Sequence, residues 1–143
     1  MAVSAKVYTL FQKSLANKEI DLDTDTLKVM LCTSTYTPNQ DTHQYKSSVT
    51  NEVTGTGYTA TGATLGSVTV TNSGHVVTLD AADTSWSTST ITARYAVVYD
   101  SSPASDATRP LICYVDFGAD VVSSGGTFQI TWDAAGIVTF TAS

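Results

Sequence analysis

Apolar positions change period once along this chain. Val3, Val7, Leu10, Phe11 and Leu15 recur at helical spacing with Lys6 and Lys13 elsewhere on the wheel, which predicts a helix over residues 3–16 capped by Ser4. A polar, acidic stretch follows from Asn17 to Thr26. From Leu27 the period is two: Leu27, Val29 and Leu31 alternate with Lys28, Met30 and Cys32, and the turn chemistry of Thr37–Asp41 ends the strand. Tyr45, Val49 and Val53 lie four apart and predict a short second helix within residues 42–53, against a β-branched and hydroxyl-rich content that opposes it. Val68 and Val70 lead to the hairpin signal Asn72-Ser73-Gly74, and Val76, Val77 and Leu79 form the return strand. Residues 81–89 read as a polar loop holding Trp86. Ile91–Tyr99 is apolar on both faces and predicts a central strand with Tyr95, Val97 and Tyr99 buried. After the polar loop Ser101–Pro110, Leu111–Phe117 is a strand, and Gly118 and Ser123–Gly126 mark a loop. Phe128, Ile130 and Trp132 alternate again, and Ile137, Val138 and Phe140 follow the turn Asp133–Gly136.

About seven strands at turn intervals of roughly 8–12 residues predict a mainly β chain, a β-sandwich or barrel-like domain with a short N-terminal helix. Residues 1–16 form a helical arm, 26–143 the β core, and 1–143 a single domain, since no composition break marks a linker. Composition strengthens the β reading. Thr contributes 25 and Ser 16 of the 143 residues, and Thr suits a pleated, half-exposed surface. Charged residues are only 14%, so hydroxyls supply most of the polarity.

Charge narrows the partners. The net charge is −6, and the two arginines, Arg94 and Arg109, are not clustered, so no basic stripe exists to release counterions from nucleic acid. The same balance disfavours an anionic membrane surface, and no apolar run approaches the ~20 residues of a membrane span. Lys6 and Lys13 interrupt the first apolar stretch, so no signal peptide is read and the chain is expected to be made in a cytoplasm.

Candidate chemistry is sparse. Cys32 and Cys113 fall inside strand runs and read as small buried thiols; two cysteines make no disulfide framework. Asp21, Asp23 and Asp25 alternate like the start of an EF-hand loop, but Thr26 stands where its glycine is needed and Cys32 where its bidentate glutamate is needed. No G-x-S-x-G elbow accompanies His43 or His75, and the only glutamates are Glu19 and Glu52. Gly55, Gly57 and Gly62 miss the dinucleotide fingerprint and read as backbone freedom in a turn. The expectation is therefore no enzyme, no catalytic residue, no metal and no cofactor. The strand aromatics read as core, and Trp86, alone in a polar loop, as a core edge or an interface anchor.

Several segments carry a resemblance: Thr26–Asp41 (TLKVMLCTSTYTPNQD), Glu52–Tyr58 (EVTGTGY), Trp86–Asp100 (WSTSTITARYAVVYD), Tyr114–Gly118 (YVDFG) and Phe128–Val138. Together they resemble small virion structural proteins of tailed bacteriophages, some of them capsid decoration or cement proteins. The likeness runs from about residue 20 to the end of the chain, and its motifs are structural. It implies a non-enzymatic protein on the outer surface of the virion capsid, assembled in the host cytoplasm. Its partner would be the major capsid protein, and it would act as a homo-oligomer with a trimer as the first expectation. The alternatives are a neck, minor tail or fibre component, or a carbohydrate-binding β-sandwich module. Val3, Val7, Leu10 and Phe11 of the N-terminal arm, with Trp86, are the candidate interface residues.

Overall fold

Two long strands dominate the structure, a computed structural model that describes residues 2–143. β6 (Thr84–Asp100) and β7 (Leu111–Ile130) pair antiparallel from Thr84↔Ile130 to Tyr99↔Leu111. Their inner halves lie at the centre of a five-stranded sheet ordered β1 (Ser4–Val7), β7, β6, β2 (Leu27–Cys32), β3 (Ala63–Thr64). Their outer halves run on as a two-stranded arm. A second sheet orders β4 (Thr69–Ser73), β5 (Val76–Asp80) and β8 (Val138–Thr141). Every named pair is antiparallel, and one helix, α1 (Thr9–Ala16), follows β1. The chain is mainly β, with eight strands in a sandwich-like arrangement of two sheets.

β6 is central for the reason its sequence suggests. Opposite residues in antiparallel strands share a face. Met30, Val97 and Tyr114 therefore look one way, and Val29, Val98 and Cys113 the other. Tyr8 covers the first face through Tyr114 (ring centroids 5.0 Å), and Tyr36 covers it through Tyr95 (5.8 Å). Cys113 and Val115, on the second face, look towards Trp132 and Ile137 of the turn before β8. With both faces covered, Ala96, Val97, Val98 and Tyr99 are fully buried. Tyr95 is a correction: it is half-buried, at the rim where Arg94 lies 5.6 Å from its ring.

The N-terminal arm departs from expectation. Residues 3–16 are not one helix: Ser4–Val7 form β1 against Asp116–Cys113, and only Thr9–Ala16 are helical. The spacing of Val3 and Val7 fits a helix, but the open edge of β7 offers hydrogen bonds that a short, isolated helix cannot match. Ser4 is no cap. Tyr8 precedes the helix in extended conformation without a side-chain cap, and Gln40 O accepts from the Thr9 N–H at 2.9 Å. Within residues 42–53 only Lys46–Ser48 are helical, as a single 3-10 turn. Val49–Val53 instead pass beside β2 with a left-handed residue at Asn51 (φ +60°), and there Val53 N–H donates to Leu31 O and Cys32 bridges Glu52.

Two predicted loops are strand. Residues 84–89 belong to β6, and Gly118 and Ser123–Gly126 lie inside β7. Hydroxyl residues outside and Thr84, Trp86 and Ser89 inside make the first an amphipathic strand. The glycines serve irregularities in the pairing. Between Ala93↔Val121 and Tyr95↔Asp116 the register jumps, so Phe117–Asp120 bulge opposite Arg94, and Gly118 takes φ +81° there. The hairpin at Asn72-Ser73-Gly74, the polar loop 101–110 and the turn 133–136 stand as read.

Candidate functional site

The five candidate interface residues separate. Phe11 is fully buried and packs its ring on Phe140, with centroids 5.8 Å apart. Leu10 and Val7 are half-buried, and Val7 pairs with Cys113. Trp86 is no loop anchor: it is 6% exposed, edge-on to Phe128 at 5.9 Å and tilted to Tyr58 at 5.9 Å. Its place in a strand turns it into the core. Only Val3 is open, at 64% exposure.

Val3 marks a groove. It lies just before β1, which among the described residues has β7 on one side and no strand on the other, so its outer backbone N–H and C=O groups have no strand partner, and of them Val7 O accepts from Gln40 Nε2 at 2.9 Å. Behind that edge a cavity of about 440 Å³ is lined by Val3, Ala5, Val115, Phe117, Ile130, Trp132 and Ile137, among others. The Trp132 Nε1–H is buried without an acceptor. A buried donor of that kind favours a carbonyl or hydroxyl oxygen.

The bulge positions one wall of the groove. Arg94 Nε donates to Asp116 Oδ1 at 2.7 Å, and the same oxygen accepts from the Gly118 N–H at 2.8 Å. The guanidinium holds the Asp116 carboxyl below its ordinary range against the opposing effect of burial, and the Gly118 amide adds a smaller push in the same direction. The Asp116 backbone pairs with Ser4 of β1 while its carboxylate holds Arg94 and the Gly118 amide, so this one residue ties the edge strand to the bulge. Phe117 also meets Phe128 edge-on at 6.1 Å.

The groups that stood as candidate chemistry, His43, the two cysteines and the acidic loop, are engaged otherwise. Tyr8 and Tyr36 share a hydroxyl hydrogen bond of 3.0 Å, and His43 Nδ1 meets the Tyr36 hydroxyl at 3.0 Å and accepts from the Asn39 N–H at 3.3 Å. Burial pushes Tyr36 up to about 12 and His43 below its ordinary value, so the network is neutral and fastens the 36–43 loop to the sheet. Cys32 and Cys113 are free and buried, and burial raises each thiol to about 12. Asp21 Oδ1 accepts from the N–H groups of Asp23 and Thr24, which closes the acidic loop on itself. Among the described residues no group of three His, Cys, Asp or Glu side chains is placed to hold a metal ion.

Trp132, Phe117 and Ile137 escaped the sequence reading because they resemble core positions. The one available signal was a tryptophan at the end of an alternating run, just before the Asp133–Gly136 turn. Comparison with family models, with curated proteins and with solved structures finds no match to this chain.

Proposed function

We propose that this chain is a non-enzymatic virion structural protein that decorates the outer surface of a bacteriophage capsid and binds the major capsid protein through the β1 edge and the groove behind it. The carrying observation is the pairing of a strand edge that lacks a neighbouring strand with an apolar cavity lined by Phe117, Trp132 and Ile137. An extended segment of a partner fits both: its backbone pairs with β1 and a side chain enters the cavity. The likeness of Thr26–Asp41 and Trp86–Asp100 to phage virion proteins supplies the identity of that partner. The low charge agrees with it, because contact then rests on shape and backbone pairing, and exposed ion pairs contribute only ~0–1 kcal/mol each.

Release from purified particles over a salt series tests the reading. Retention is expected at ~0.5 M NaCl, where the Debye length is only about 4 Å, and a Val3→Asp chain is expected to occupy few sites. Release of the unmodified chain at that salt, or full occupancy by Val3→Asp, would reject it.

A further inference from the structure

Asp100 ends β6 opposite Leu27 of β2 and is fully buried. Its Oδ1 accepts from the Ser102 N–H at 2.9 Å, whereas its Oδ2 has no donor. The side chain that meets it is another acid. The Asp25 carboxyl, on the loop before β2, is close enough to hydrogen-bond with Asp100 once one of the two carries a proton. Two ionised carboxylates at that distance, one of them out of water, repel strongly, while a single proton between them removes the repulsion and satisfies the orphan oxygen.

The surroundings supply no cation in its place. From β2 the facing residue is Leu27; from the segment before β7, Pro110 O accepts from the Asp100 N–H at 2.9 Å; from the 101–110 loop, Ser102 donates. Lys46 and Arg109 are both paired with Asp106, Lys28 Nζ donates to Thr61, and Arg94 is held by Asp116. On the acidic loop, Asp21 accepts from its own backbone, and its N–H donates to Asp25 Oδ2 at 2.9 Å. Asp25 is therefore fixed to its loop on one side and to Asp100 on the other. The next residue is joined to the same place: Thr26 N–H donates to Ser102 Oγ at 2.8 Å, and Ser101 N–H and Oγ–H donate to Thr26 O at 2.9 and 2.8 Å.

We propose that Asp25 and Asp100 share one proton and form a pH-sensitive latch that holds the 21–25 loop to the end of β6, closed while the proton is present and loosened when it leaves. Burial first, then the hydrogen bond with Asp25, raise the Asp100 group from 3.8 to about 7. With the folded value above the unfolded one, the stabilisation is complete below the unfolded value and is lost as pH rises through about 7. His43 has the opposite sign: burial lowers it, so its contribution is lost as pH falls.

Thermal unfolding of the full chain between about pH 5 and pH 8, with amide exchange of residues 21–26, tests the latch. The unmodified chain is expected to lose several degrees of Tm towards pH 8 while exchange in the loop accelerates. Asp100→Asn, whose amide donates to Asp25 at every pH, is expected to remove both changes. Carboxyl ¹³C titration of the unmodified chain is independent of whether that variant folds, and should show one buried carboxyl with a midpoint near neutrality. Equal pH slopes in the two chains, or a midpoint near the ordinary carboxyl range, would overturn the proposal. So would a Tm at pH 8 that added calcium restores in the unmodified chain alone, because the pair would then hold a cation.

Discussion

Val97 shows how one residue sets the centre of the sheet. It is fully buried, opposite Met30 on one neighbour and Tyr114 on the other. Val97→Ala removes two methyl groups from a site whose surrounding strands cannot close in, so a loss of about 1–3 kcal/mol is expected in denaturant unfolding. A change below about 0.5 kcal/mol would mean that this face is less tightly covered than the ring contacts of Tyr8 and Tyr36 imply. Gly62 acts through backbone alone: at φ +86° a Cβ would collide with the Val29 carbonyl of β2, so the glycine permits β3 to approach. The spacing of Gly55, Gly57 and Gly62 marked this freedom in the sequence, although not the strand it serves.

At the scale of elements, the β6–β7 hairpin depends on its bulge. Asp116 binds Arg94 and the Gly118 amide at once, so Asp116→Ala is expected to speed exchange at Gly118 and loosen the pairing of β1 at Ser4. Its lowered pKa also gives a pH signature. The folded value lies below 3.8, so the contribution is present above 3.8 and is lost as pH falls through the folded value. The variant should lack that acid loss; unchanged exchange and an unchanged acid limb would show that the bulge holds without the pair. Such bulges explain which elements were legible. β2 and the β4–β5 hairpin follow from period two and turn residues, because each keeps one register, and the inner half of β6 follows from a run that is apolar on both faces. Gly118 and Ser123–Gly126 read as loop because glycine signals a break in regular backbone and does not distinguish a bulge inside a strand from a connection between strands. Trp86 was misplaced for a related reason: its neighbours are Ser and Thr, which serve a loop and the wet face of a strand equally well. Val3 and Val7 at spacing four fit a helix, and the edge of β7 that recruits β1 is over a hundred residues away in sequence, beyond any local pattern.

On the whole molecule, the features meet on one side. The free edge of β1, the exposed Val3, the cavity behind it and the bulge that aims Phe117 into it form one continuous surface, and the acidic, hydroxyl-rich remainder is suited to water. The sequence carried the β class and the shortage of charge, whereas the groove arises only when β1, β7 and the 131–137 turn come together. A chain that binds its shell by this surface is expected to present it inward and to repeat with the symmetry of the shell, as a trimer about local three-fold axes. A cryo-EM map of the intact virion tests this most directly. The account expects this fold on the outer capsid surface, with β1 and the Trp132 cavity against the major capsid protein and density from a capsid segment in the groove. Density for the chain at the neck or tail, or on the capsid with β1 and the cavity facing solvent, would contradict it.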